Sequence, residues 1–200
     1  MLSILDSQLF PDECIVLDTG KELIYPIFKN GSTSLVKNFK EASLADIKSA
    51  DSITVFVREP LDRFYSGVNT FIQHNLQLDT STVIELVTRH LFLNRHFSPQ
   101  FFWIVNLQRF TNAKLKLKNI SSLNSVTKFH ENKSLSNSIS KHFEDNNKLH
   151  FYMALDKVLY WDLIDKIVTF KQILDELKQQ YPDVYNEVIE RSKTLCNVLG

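Results

Sequence analysis

The chain has 200 residues, enough for one domain with a substantial core, and 44% hydrophobic with 23% charged residues is ordinary globular usage. Lys+Arg and Asp+Glu both number 23, and a formal net charge of zero argues against a protein that tracks nucleic acid or coats an anionic membrane. Cys14 and Cys196 are too few for a disulfide framework, the N-terminus lacks the basic and apolar regions of a signal peptide, and no apolar run approaches the ~20 residues needed to cross a bilayer. A single cytoplasmic domain over 1–200 is the expectation, and 15 Phe against 4 Gly favours a helix-rich α/β core.

Residues 1–20 read as an irregular lead-in or edge strand, with Pro11 and the Asp18-Thr19-Gly20 turn around a short apolar run. The stretch 23–39 then organises the chain: an apolar run ends in Lys29-Asn30-Gly31-Ser32-Thr33-Ser34, and Leu35, Val36 and Phe39 follow at helical spacing. Ser43 with Asp46 marks a second helix start. The run 52–58 is β-branched and nearly continuous, the pattern of a parallel strand covered on both faces. Pro60 opens a helix carrying Leu61, Phe64, Tyr65, Val68, Phe71 and Ile72, and another helix is expected over 81–93. The stretch 95–100 breaks the pattern before the apolar run 101–105. Lys114, Lys116 and Lys118 alternate with Leu115 and Leu117 as a strand with one basic face. The Ser/Asn/Lys-rich stretch 121–148 reads as a flexible loop, a lid or a floppy insertion. A helix is expected over 154–181, with Leu163, Ile167, Phe170, Leu174, Leu177 and Tyr181 as core contacts ahead of a coiled-coil seam, and a last helix after Pro182 completes a helical C-terminal part, 154–200.

A strand, a tight turn and a helix start, in that order, bring free backbone N–H groups to one point. Gly31 permits close approach of a ligand, Ser32, Thr33 and Ser34 add hydroxyls, and Lys29 adds a positive charge, which together make a phosphate cradle. Arg58 ends the second strand, where open α/β sheets place ligand groups, and Ser66 lies about two turns into the next helix. Arg58 and Ser66 suit a second phosphate; taken alone, Arg58 also suits a surface pair with Glu59 or Asp62. A P-loop NTPase needs Gly-Lys-Ser/Thr and a carboxylate ending a nearby strand for magnesium, whereas here Lys29 precedes Gly31 and an arginine ends the strand. No His/Cys/Asp grouping has metal-ligand spacing, so no metal is expected.

Lys29-Asn30-Gly31-Ser32-Thr33-Ser34 and Arg58-Glu59-Pro60-Leu61-Asp62-Arg63-Phe64-Tyr65-Ser66 resemble the two signature motifs of the sulfotransferase superfamily, closest to its carbohydrate branch. Arg95-His96-Phe97-Ser98-Pro99-Gln100 is similar to the His-x-x-Pro-Gln segment of that branch, and His130-Glu131-Asn132-Lys133-Ser134 and Asp156-Lys157-Val158-Leu159-Tyr160 echo two later stretches. Phe28 and Glu59 depart from the usual Pro and Asp, and the Gly-rich C-terminal clamp of small-molecule sulfotransferases is not visible. The resemblance implies a P-loop-like three-layer sandwich with a short central parallel sheet flanked by helices. It implies 3′-phosphoadenosine 5′-phosphosulfate (PAPS) as sulfuryl donor, held by residues 29–34 at its 5′ end and by Arg58 and Ser66 at its 3′-phosphate. It implies a hydroxyl acceptor, a glycan. The balanced charge and the lack of an apolar span speak against a nucleic acid or membrane partner, and the missing membrane anchor sets the chain apart from Golgi-resident relatives and favours a bacterial or viral origin.

For the general base the first choice is His96, then His74, then Glu41 or Asp46, because a group titrating near neutrality suits proton transfer. Lys29 is expected to stabilise the charge on the leaving oxygen. Lys114, Lys116 and Lys118 present either a basic face for an acidic glycan or a solvated strand face. The competing readings are a P-loop-like nucleotide kinase and a non-catalytic nucleotide- or glycan-binding module.

Overall fold

The computed structural model describes residues 14–75, 77–89, 94–123 and 147–191. Among them six strands form one mixed sheet: β1 (Leu17–Asp18), β2 (Leu23–Tyr25), β3 (Lys40–Glu41), β4 (Ser52–Val57), β5 (Lys114–Asn119) and β6 (Ile167–Val168). Their spatial order is β3-β1-β2-β4-β5-β6. The three central strands, β2, β4 and β5, are parallel, with Tyr25 opposite Val55 and Val57 opposite Asn119. The outer strands pair antiparallel. A parallel centre sends every exit of those strands to the same rim, and this decides where the site lies.

Eight α-helices accompany the sheet among the described residues: α1 (Ser32–Asn38), α2 (Leu44–Ser49), α3 (Pro60–Gln73), α4 (Thr80–Arg89), α5 (Gln100–Gln108), α6 (Asn147–Lys157), α7 (Phe170–Gln180) and α8 (Pro182–Arg191). On one face Ile53, Val55, Val57, Leu115 and Leu117 pack with side chains of α3, α5, α6 and α7 in the main core. On the other, Ile24 and Phe56 meet Leu17 of β1 and Leu35 of α1 in a small separate cluster. The helical packing on the two faces is therefore very unequal. The near-continuous apolar sequence of β4 follows from its central place, where side chains on both faces are buried. Every residue of α5 is buried, which explains an apolar run without a polar stripe.

Local signals set several boundaries. Ser43 and Asp46 form the expected capping box of α2, and Pro60 occupies the first turn of α3. The single helix expected over 154–181 is broken. It ends as α6 at Lys157, winds through a π-helical turn (Val158–Asp162), reverses at Asp165 (φ 60°), adds β6 and restarts as α7. A second capping box, Thr169 with Gln172, starts α7 and was the sequence signal for the restart. Leu163, Phe170, Leu174 and Leu177 are core, while Ile167 is exposed on β6, so the stripe is no coiled-coil seam. The first helix stops at Asn38 because Lys40–Glu41 joins the sheet edge. The lead-in up to residue 13, the 90–93 end of the expected helix 81–93, most of the 121–148 stretch, His130-Glu131-Asn132-Lys133-Ser134, and the chain beyond 191 lie outside the described residues.

Candidate functional site

The chain leaves β2 through the buried Pro26 and Ile27 and turns at once, the Asn30 amide donating to the Ile27 carbonyl at 3.1 Å. The third residue of that turn is Lys29, with φ 68°, a left-handed conformation that costs a side-chain-bearing residue about 1–2 kcal/mol. Gly31 adopts φ 74° without such strain and caps α1 with no side-chain acceptor; its carbonyl accepts from the Ser34 and Leu35 N–H groups at 3.0 and 3.1 Å. Lys29 is half-buried, and its ammonium donates to Thr70 Oγ1 at 2.5 Å, which in turn donates to the Ser66 carbonyl at 3.1 Å. Burial, reinforced by the Arg58 and Arg63 guanidinium groups, lowers the Lys29 pKa below its ordinary value.

Arg58 stands one residue beyond β4, and its Nη1 donates to the Lys29 carbonyl at 3.5 Å. The two cationic residues expected to grip anions thus lie together at the C-terminal rim of adjacent parallel strands. Arg63, Ser66, Gly67 and Thr70 share the face of α3 turned to this rim, since Arg63 and Thr70 both bond the turn. Ser66 is half-buried there. Of the turn hydroxyls, Ser32 is buried, Ser34 half-buried and Thr33 exposed. Asn30 differs from the others: its side-chain amide is fully buried and donates inward, to the Phe56 carbonyl at 2.7 Å and to Gln100 Oε1 at 2.6 Å. It braces the turn from behind.

Beneath the rim lies a buried polar network that the sequence reading did not anticipate. Arg63 is completely buried; Nε donates to the Phe28 carbonyl at 3.2 Å, and Nη1 donates to the Ser98 carbonyl and to Tyr152 Oη at 3.2 Å. Asp156, equally buried, accepts from Phe101 N at 3.0 Å and from Gln100 Nε2 at 3.2 Å. Its pKa is raised by desolvation, against the pull of Arg63 and of those hydrogen bonds. A signal existed in the sequence: Arg63 is a charged residue at the buried spacing of an amphipathic helix.

His96 and His74, the first and second candidate bases, come together with ring centroids 6.1 Å apart. The His96 ring is half-buried, 6.0 Å from that of Phe28. Asn94 Oδ1 accepts from the His96 backbone N–H at 2.9 Å and lies 3.0 Å from His96 Nδ1. An oxygen at that place calls for hydrogen on Nδ1 and leaves the Nε2 lone pair available. Burial first, then the positive charges of Lys29, His74 and Arg63, lowers the His96 pKa. Gly67 makes this packing feasible, because a Cβ there would stand 2.3 Å from the His96 carbonyl oxygen. Glu41 and Asp46 do not join the group. Glu41 is on the edge strand β3, and Asp46 is engaged with Ser43 in capping α2.

Comparison with protein-family models, curated proteins and solved structures finds no match.

Lys118 of β5 lies 3.7 Å from the Glu22 carboxylate, Lys116 is half-buried and Lys114 exposed, so the basic strand face is partly neutralised. An open cleft of about 560 Å³ lies at the opposite rim, lined by Lys48, Asp51, Gln108, Arg109 and Lys114 among others. It gathers the C-terminal ends of α2 and α5, whose carbonyl ends favour cations such as Lys48 and Arg109, so structural capping explains its charge. Among the described residues no group of three or more His, Cys, Asp or Glu is arranged for a metal ion, and no helix is long and apolar enough to cross a membrane.

Proposed function

We propose that the chain is a PAPS-dependent sulfotransferase that moves a sulfuryl group to a hydroxyl of a carbohydrate acceptor, on a P-loop-like three-layer frame. The observation that carries the reading is the convergence of Lys29 and Arg58, 3.5 Å apart from guanidinium nitrogen to carbonyl oxygen, at one rim of parallel strands. Two cations in one place, with an arginine where an NTPase would set its magnesium-binding carboxylate, suit a ligand with two anionic ends. The donor set fits PAPS: a half-buried ammonium, a guanidinium fork, and backbone N–H groups at a turn opened by positive φ.

When bound, PAPS supplies a sulfuryl group on a phosphate leaving group. Lys29, held by Thr70 and already partly desolvated, meets the negative charge that develops on that side. Arg58 and Ser66 hold the 3′-phosphate. His96 Nε2 takes the proton of the acceptor hydroxyl, its ring oriented by Asn94 and its lowered pKa keeping it unprotonated at neutral pH.

The test is transfer of labelled sulfate from PAPS to a panel of glycans. Wild type transfers, and Lys29→Ala and Arg58→Ala do not; transfer retained in both variants removes the site. A thermal-shift screen separates the competitors. Adenosine 3′,5′-bisphosphate at a hundredfold excess over its Kd stabilises by about 2.7 kcal/mol, which for a chain of this size is about 5–10 °C. Stabilisation by ATP-magnesium instead, with ATP turnover, identifies a kinase. Tight bisphosphate binding with no transfer to any acceptor identifies a binding module.

A further inference from the structure

Two stretches singled out in the sequence take no part in gripping anions: Pro99-Gln100, just after His96, and the segment opening at Asp156. The fold joins them through one side chain. Gln100 is the first residue of α5, fully buried, on a helix buried all round. A primary amide offers two acceptor lone pairs and two N–H donors, and all of them are engaged. Oε1 accepts from Asn30 Nδ2 at 2.6 Å and from the Arg58 backbone N–H at 2.8 Å. Nε2 donates to the Arg58 carbonyl at 2.9 Å and to Asp156 Oδ2 at 3.2 Å.

We propose that Gln100 is a positioning residue that fixes the spacing between the Lys29 turn and Arg58, so that the two anion grips act as one unit. The proposal rests on the two-ended nucleotide reading above. By bonding both the N–H and the carbonyl of Arg58, the Gln100 amide does what a neighbouring strand would do, and it extends the ordered backbone one residue past the end of β4. Its other oxygen lone pair holds Asn30, whose amide also bonds the Phe56 carbonyl inside β4. The turn that carries Lys29 is thereby tied to the strand that delivers Arg58, at two points two residues apart. Asp156, able only to accept when ionised, sets which end of the amide faces Arg58 O and which faces Asn30. The full burial of Gln100 excludes water that would compete for these bonds.

A ligand that spans both grips gains from their fixed spacing as a bivalent ligand gains from a rigid linker, and a ligand held by one grip does not. The experiment measures, by calorimetry, the Kd of adenosine 3′,5′-bisphosphate, adenosine 5′-phosphate and adenosine 3′-phosphate for wild type, Gln100→Leu and Asn30→Ala. Affinity for the bisphosphate is expected to fall by about tenfold or more in the variants, and for each monophosphate by less than about threefold. An equal loss for all three ligands, or none for any, makes Gln100 merely structural and overturns the proposal while leaving the nucleotide reading in place. A wild type that does not prefer the bisphosphate over both monophosphates removes the two-ended reading itself, and the coupling with it. Where Gln100→Leu does not fold, because it takes a partner from the Arg58 N–H and carbonyl, from one Asn30 N–H and from Asp156 Oδ2, Asn30→Ala carries the same comparison, since it cuts only the turn side of the connection.

Discussion

Replacing Lys29 by Gly and, separately, by Ala tests whether the charge and the backbone shape of the turn are separable. Both variants remove the ammonium and its bond to Thr70, so both are expected to lose sulfuryl transfer. They differ in the backbone. At φ 68° alanine retains the steric penalty of the left-handed region, about 1–2 kcal/mol, while glycine sheds it and loses back less than about 1 kcal/mol to the greater freedom of its unfolded chain. The glycine variant should therefore be the more stable by about 1 kcal/mol, or about 2–4 °C in Tm for a chain of this length. Thermal unfolding followed by circular dichroism, with the labelled-sulfate assay on the same samples, measures both quantities. A glycine variant no more stable than the alanine one shows that the turn at Lys29 is unstrained and refutes the reasoning. An active glycine variant refutes the role of the charge.

Other expectations follow from the same contacts. Gly67→Ala places a Cβ 2.3 Å from the His96 carbonyl oxygen; it should cost about 1–3 kcal/mol in denaturant unfolding and depress turnover by displacing His96. Because the His96 pKa is lowered, the acid limb of the kcat/KM profile should lie below the ordinary histidine value of about 6.5 and vanish in His96→Ala; a limb above it excludes this residue as the base. The same shift has a stability consequence: between the lowered folded pKa and about 6.5 the unfolded chain holds a proton that the native state lacks, so stability falls on acidification through that window. Asp156→Asn sets an amide N–H against either Gln100 Nε2 or Phe101 N and should destabilise by about 1–3 kcal/mol, read as a lower urea midpoint. Since the Asp156 pKa is raised, wild-type stability declines as pH rises from about 3.9 through that raised value, and the asparagine variant should lack this slope.

The turn at Lys29 was legible because its signals are local. Lys29, Gly31 and the hydroxyl residues sit side by side in the chain, and β4, which ends just before Arg58, announces itself by β-branched composition. The buried network was not legible, because Arg63, Gln100 and Asp156 lie in three separate segments and meet only when α3, α5 and α6 pack on one face of the sheet. Asn30 shows the limit most directly: in the sequence it belongs to the cradle, yet its side chain faces Phe56 and Gln100. Nor did helical spacing distinguish one long helix from α6, a π turn, a strand and α7, since Leu163 and Phe170 are core in either case.

The sequence by itself determined the α/β class, the strand-turn-helix at Lys29, the capped starts of α2 and α3, and the cationic end of β4, all features governed by propensities and bonds that act within a few residues. The tertiary structure alone decided that Lys29 and Arg58 share a rim, that His74 and His96 are neighbours, and that one glutamine amide joins the turn to the strand. Those facts depend on parallel pairing and on burial. Contacts between distant segments leave no periodic trace in a chain, and a buried polar side chain reveals its partners only once the core closes around it.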